Sequence, residues 1–149
     1  MKSIFLISFL TVAVTAFGQI QRTNLPDLKK IGEVKYMGTF IAELSYTTIG
    51  GDTSYSLLFN NAKYSTITDL ITIKFDSSPG ILDTLYNILN TGFELANDKK
   101  STFYLGKEFI AVNTEKSMGI KFIRILALDR KAYFYLRKKQ LNELFGKTK

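Results

Sequence analysis

Residues 35–59, KYMGTFIAELSYTTIGGDTSYSLLF, decide the class of the fold. From residue 35 to residue 49 the apolar side chains fall mainly on even positions and the polar ones on odd positions. This period of two is typical of a half-buried β-strand. Gly50-Gly51-Asp52 is a turn signal, and the alternation resumes with Tyr55, Leu57 and Phe59. The stretch therefore predicts a β-hairpin.

The sequence after this hairpin predicts seven further elements. A third strand is expected over residues 64–75. Ser78 suits a helix N-cap and Pro79 the first helical position, and apolar residues then recur at spacings of three and four, so a helix is expected over residues 79–95. Four short strands and a terminal helix complete the chain, with the strands over 103–105, 108–113, 120–128 and 132–136 and the helix over 138–145.

This order of elements predicts the fold class. Strands joined by short turns form antiparallel meanders, and helices segregated from the strands are typical of the α+β class rather than α/β. We therefore predict an α+β fold of two antiparallel meanders, in the order three strands, helix, four strands and short C-terminal helix. One sheet, a curled half-barrel and two packed layers are all compatible with this order.

The N-terminal segment has the three parts of a secretory signal peptide. Met1-Lys2 supplies a positive start, an apolar run follows, and Ala16 and Gly18 are the small residues of a cleavage site. We expect cleavage after Gly18 (signal peptide 1–18), a polar lead-in over residues 19–34 and a single domain over residues 35–149. Because no apolar run is long enough to cross a bilayer, we expect a periplasmic or secreted protein whose mature chain has no membrane span.

The composition excludes several kinds of chemistry. The 149 residues include no Cys, no His and no Trp, which rules out Ser-His-Asp and Cys-His pairs, disulfides and metal sites built on thiolate or imidazole. No glycine-rich phosphate loop, nucleophile elbow or calcium loop occurs. We therefore predict no catalytic residues, no cofactor and no metal site, and favour a protein that is not an enzyme.

Carboxylates are the main remaining candidates for acid–base catalysis. Glu43 and Asp69 lie in predicted strands, and two carboxylates across a cleft are the usual machinery of glycosidases. The predicted alternation places Glu43 on a polar row and Asp69 on an apolar row, hence on opposite faces. A carboxylate-based hydrolase acting on envelope polymer is therefore an alternative rather than the leading prediction.

Two charged residues fall on faces of predicted strands whose other residues are apolar. Asp69 lies between two isoleucines at i±2, and Arg124 lies between a phenylalanine and a leucine at the same spacing. Because an unpaired buried charge is costly, each must be paired, hydrogen-bonded or displaced by a bulge. Asp69 and Arg124 are thus candidates for a buried ion pair or for the polar floor of an apolar cavity.

The last predicted hairpin offers a binding surface. If Asp129-Arg130-Lys131 is a three-residue loop, one face holds the core residues Phe122, Leu126, Leu128, Phe134 and Leu136. The opposite face then collects the predicted binding residues, which are Lys121, Ile123, Ile125, Tyr133, Tyr135 and Arg137. An apolar surface that carries Tyr and Arg side chains is typical of interaction sites. A curled sheet would bury this face as a second core, and a loop of two or four residues would mix the faces.

The net charge of +7 bears on the class of partner. A basic surplus favours attraction to anionic groups, so we expect an anionic surface or an acidic protein, while export argues against nucleic acid. The leading prediction is a small exported, non-catalytic binding or interaction domain. A structural or assembly subunit is a second alternative beside the hydrolase.

Overall fold

A computed structural model describes residues 27–64, 66–96 and 99–147 of the chain. The predicted signal peptide, residues 1–18, and its cleavage site lie outside these residues, as does the start of the predicted lead-in.

The chain forms two four-stranded antiparallel sheets with a helix between them and a short helix at the end. The first sheet holds β1 (Lys29–Tyr36), β2 (Thr39–Ile49), β3 (Asp52–Asn60) and β4 (Leu70–Asp76), in that order. Helix α1 (Ile81–Thr91) continues into a 3₁₀ turn (Gly92–Glu94). The second sheet holds β5 (Lys100–Leu105), β6 (Glu108–Ser117), β7 (Ile120–Ala127) and β8 (Ala132–Leu136), and helix α2 (Lys138–Leu144) follows.

The prediction of an α+β fold with three strands before the helix is wrong, because the first sheet has four strands and the fold is mostly β. The region predicted as one strand over residues 35–49 contains a turn at Met37-Gly38, and β1 begins at Lys29, inside the predicted lead-in. A register shift beside Ile41 lets the even-numbered residues Val34 and Ala42 face the core on both strands. Apolar residues therefore stay on even positions on both sides of the turn, and the turn leaves no mark in the period-two pattern of the sequence.

Other element boundaries follow the predictions to different degrees. The predicted hairpin turn at Gly50-Gly51 is confirmed. The predicted terminal helix is also confirmed, and it ends shortly before Gly146, which has the left-handed backbone conformation with φ 63°. Strand β4 begins only at Leu70, so Asp69 precedes it. Helix α1 starts after Gly80, whose φ of 73° is left-handed, and not after the predicted serine cap.

The two sheets and both helices share one hydrophobic core. The rings of Phe59 on β3 and Phe134 on β8 stack with centroids 4.6 Å apart, so the inner faces of the two sheets meet. Leu85 from α1 and Leu141 from α2 join the same core. Both helices bury their apolar residues in this core between the sheets.

Helix α2 lies directly on β1 through a close backbone approach. A Cβ at Gly32 would stand 2.2 Å from the carbonyl oxygen of Glu143, so only glycine fits there. This contact fixes the helix relative to the first sheet. It also positions Arg137, which precedes the helix and whose backbone N–H donates to Gln140 Oε1 at 2.9 Å.

Candidate functional site

The register of the last hairpin decides which side chains reach the surface. Ile123 pairs with Leu136, Ile125 with Phe134 and Ala127 with Ala132, so the loop holds four residues, Leu128–Lys131, and not three. The extra residue shifts the parity of β7 against β8. The predicted arrangement of faces is therefore wrong: Ile123 and Ile125 are buried in the core, and Phe122 and Leu126 point outward.

The outer face of the second sheet nevertheless brings together three of the predicted binding residues. Tyr133, Tyr135 and Arg137 are half-buried there. Residues from β7 complete this surface, which we call the aromatic–arginine face: Phe122, Arg124, Leu126, Tyr133, Tyr135 and Arg137. The predicted Lys121 is exposed near the tip of the β6–β7 hairpin, away from the tyrosines.

The two arginines of this face are held by aromatic rings. The guanidinium of Arg124 lies over the ring of Tyr133, 4.2 Å from its centroid, and Nη1 is 3.4 Å from the Glu115 carboxylate. The Nε of Arg124 is buried and has no hydrogen-bond partner among the described residues. The guanidinium of Arg137 lies 5.2 Å from the ring of Tyr36 and 5.3 Å from that of Phe122. Cation–π contacts of this kind pre-orient a charge without neutralising it.

The two tyrosines of β8 form a rigid pair. Their rings meet edge to face with centroids 5.5 Å apart. Burial raises the pKa of Tyr135, and the negative charge of Glu115 raises this pKa further. The phenol is therefore neutral at physiological pH and can donate or accept a hydrogen bond.

Asp69 and Arg124, the two charged residues on predicted apolar rows, do not pair with each other. Asp69 Oδ2 accepts a hydrogen bond from Asn61 Nδ2 at 2.8 Å, whereas Arg124 binds Glu115. Asn61 is buried, and its Oδ1 accepts from the backbone N–H of Tyr133 at 3.2 Å. Asp69 and Arg124 thus both support Tyr133, one through Asn61 and the backbone and the other through the ring.

Two concavities flank the tyrosine pair. One, of about 430 Å³, is lined by Lys63, Arg124, Leu126, Leu128, Lys131 and Tyr133. The other, of about 340 Å³, is lined by Glu115, Lys116, Ser117, Phe122 and Tyr135. The backbone N–H of Ala62 donates to the carbonyl of Tyr133 at 2.7 Å, which anchors the loop that carries Lys63 beside the first concavity. Both walls of the surface are therefore fixed by hydrogen bonds or by sheet register.

The candidate catalytic carboxylates are engaged in separate contacts. Glu43, on the outer face of the first sheet, is 3.1 Å from Lys30 Nζ, and Asp69 is bound by Asn61. The residues that the structure describes contain no cluster of three acidic side chains able to hold a metal ion. Among the same residues no helix is both long and apolar enough to cross a membrane.

Sequence reasoning missed two parts of this site. Phe122 and Leu126 were assigned to the core, and Leu128, the extra loop residue, gave no turn signal of its own. Asn61, whose side chain joins Asp69 to the backbone of Tyr133, was not among the candidate residues, because spacing along the chain gives no signal for these contacts.

No protein-family model matches the sequence, and neither the curated proteins nor the solved structures that were compared show significant similarity to it.

Proposed function

We propose that the protein is a small exported, non-catalytic binding domain, and that the aromatic–arginine face binds an acidic, partly apolar segment of a partner protein. One observation carries this proposal. Two arginines and two tyrosines are held in fixed positions on a sheet face that no described helix covers. Tyr and Arg are the residue types that contribute most to protein–protein binding.

The charge around this face supports an acidic partner. Lys63 and Lys131 border the concavity beside Tyr133, and Arg124 lies within it. Glu115 and Lys116 line the neighbouring concavity, and the Glu115 carboxylate is 3.4 Å from Arg124 Nη1. Arg124 already has Glu115 as a partner, so an acidic segment would mainly add negative charge beside Lys63 and Lys131, and apolar side chains of that segment would fill the space beside Leu126.

The rival functions have less support from the geometry. A carboxylate-based hydrolase needs two carboxyl groups about 5 to 10 Å apart across a cleft, and Glu43 and Asp69 have separate partners on different elements. An assembly subunit would use a sheet edge. The edge strand β8 is instead partly covered, because Asn61 and Ala62 bind both backbone groups of Tyr133.

A peptide-binding measurement on a tyrosine variant tests the proposal. The probe is a synthetic peptide of four Asp-Glu-Leu repeats, compared with a Lys-Lys-Leu peptide of equal length. We expect binding of the acidic peptide only. Replacing both Tyr133→Ser and Tyr135→Ser should weaken it at least about tenfold.

The first sheet supplies a control for the loss of two tyrosines. Tyr46 and Tyr55 also form a cross-strand pair, with ring centroids 6.2 Å apart, but on the inner face, where Tyr55 packs against the core. The Tyr46→Ser, Tyr55→Ser variant should bind the acidic peptide as the unmodified protein does, at a temperature where circular dichroism shows both variants folded. Equal weakening in both variants, or equal binding of both peptides, would reject the proposed surface.

Export is tested separately. The mature protein should begin at Gln19 and fractionate outside the cytoplasm, as N-terminal sequencing of the fractionated protein would show. An intact Met1 on the bulk of cytoplasmic protein would contradict this part of the proposal.

A further inference from the structure

Two hairpin tips of the molecule share an unusual residue. The turns Met37-Gly38 and Met118-Gly119 both place methionine in the left-handed region, at φ 50° and φ 49°, with the glycines at φ 81° and φ 80°. Such two-residue turns favour asparagine or glycine at the first position, because larger L-residues are strained there. Met37 is 87% exposed and Met118 is 100% exposed, so packing against the residues that the structure describes does not explain either methionine.

The two methionine tips lie at the same end of the molecule. Arg137, directly after β8, is within 5.3 Å of the rings of both Tyr36 and Phe122. Tyr36 immediately precedes the first tip, and Phe122 lies on the strand that leaves the second. Because strands in a meander alternate in direction, the turns after β2 and β5 lie at the other end of their sheets.

The surroundings of the methionine tips are apolar and basic. Tyr36 and Ile120, next to the two turns, are exposed. Lys116 and Lys121 face each other across the second hairpin, and Lys35 flanks the first, where it also binds Glu33 at 2.9 Å. The β2–β3 turn at the opposite end carries Asp52, close to Asp76. The methionine tips are therefore flanked by lysines, whereas the opposite end carries the acidic β2–β3 turn beside the basic residues Lys107, Arg130 and Lys131 of its other turns.

We propose that the two methionine tips dock the protein on an anionic lipid bilayer. Flexible apolar side chains on a convex tip suit the boundary between headgroups and acyl chains, a tyrosine suits the headgroup level, and lysines bind lipid phosphates. A second copy of this chain is a poorer occupant, because the lysines of the two tips would repel one another. This inference goes beyond the proposed peptide-binding face and does not depend on it.

Vesicle sedimentation with a double variant tests the proposal. The vesicles contain phosphatidylcholine alone or with roughly one third phosphatidylglycerol, an anionic lipid. We expect the purified protein to bind the anionic vesicles and to be released by salt. The Met37→Asn, Met118→Asn variant should bind at least about tenfold more weakly, since it loses both apolar tips while asparagine keeps the turn conformation.

The opposite end of the molecule supplies the control. Ile49 is exposed beside the β2–β3 turn, and Ile49→Thr should leave vesicle binding unchanged. A charge variant, Lys116→Glu with Lys121→Glu, should lose binding without any change at the methionines. The proposal would be overturned if the double Asn variant bound the vesicles as well as the unmodified protein, or if the protein bound neutral vesicles equally well. It would also be overturned if the methionines caused dimer formation without vesicle binding. Because the peptide assay uses other residues, failure here leaves the proposed function separately testable.

Discussion

The two sheets are alike on the inside and different on the outside. Their inner faces contribute similar apolar side chains to one core, and Phe59 and Phe134 meet at its centre. The outer face of the first sheet is rich in small hydroxyl residues, namely the buried Ser45 and, beside it, Thr47, Ser54, Ser56 and Thr72. The outer face of the second sheet holds the aromatic–arginine set instead. The two sheets thus share an architecture, but small hydroxyl residues dominate one outer face, and aromatic rings and arginines dominate the other.

The difference separates stability from binding. Small β-branched or hydroxyl side chains satisfy a sheet surface at little cost in exposed apolar area. The first sheet folds without half-exposed aromatic rings and arginines on its outer face. Folding of a sheet of this kind therefore does not require the aromatic–arginine set that the second sheet carries. We therefore propose the outer face of the second sheet as the binding surface and treat that of the first sheet as its internal control.

The largest effect is expected where the sheets are alike. Phe59→Ala and Phe134→Ala should each lower the free energy of unfolding by about 3 to 5 kcal/mol, because each removes a buried ring and leaves a cavity. The double variant should lose less than the sum, since the two rings contact each other. Urea unfolding measures all three. Additive losses, or a loss confined to one sheet, would show that the sheets do not share one core.

A smaller effect is expected at the hydrogen bonds that brace Tyr133. Asn61→Ala should lower the free energy of unfolding by about 1 to 3 kcal/mol, because it leaves the Tyr133 N–H and the Asp69 carboxylate without their partner. Ser56→Ala, on the outer face of the first sheet, should change it by about 0.5 kcal/mol or less. Thermal unfolding compares them, and equal losses would remove the distinction between the two faces.

The charged pairs on the two faces should differ in binding and not in stability. Arg124→Met breaks a partly exposed ion pair and should change the free energy of unfolding by about 1 kcal/mol or less, and Lys30→Met, at an exposed ion pair, should leave the free energy of unfolding nearly unchanged. Only Arg124→Met should weaken binding of the acidic peptide, which titration calorimetry would show. Similar weakening by Lys30→Met would mean that the peptide responds to net charge alone.

The smallest effect concerns the ionisation of Tyr135. Its pKa is raised by burial and by the Glu115 carboxylate, so the folded state favours the neutral phenol. The stabilisation is complete below the ordinary tyrosine pKa of about 10 and is lost as the pH rises through the folded-state pKa. Ultraviolet titration should show one late-titrating tyrosine that Tyr135→Phe removes. Glu115→Gln should lower that pKa only in part, because burial remains, and a full return to the ordinary value would make Glu115 the sole cause.

Local signals in the sequence predicted part of this molecule. The Gly50-Gly51 turn and the final helix with Gly146 are confirmed because glycine marks left-handed positions. Strand β1 was missed because Met37, a residue that rarely adopts such a conformation, begins its turn. Ile123 and Ile125 were placed on the wrong face because loop length sets parity, and Leu128 gave no sign of belonging to the loop. The ring contacts of Arg124 and Arg137 depend on tertiary packing, which spacing along the chain does not encode.

Nuclear magnetic resonance mapping of the acidic peptide tests whether the aromatic–arginine face binds it. In titrations of the isotope-labelled protein, we expect the largest backbone shift changes on the second sheet, around Arg124, Tyr133 and Tyr135. The residues around Ser45 and Ser56, on the outer face of the first sheet, should hardly change. Shifts centred on the first sheet, or spread evenly over the lysines of both, would contradict the assignment of the aromatic–arginine face as the binding surface.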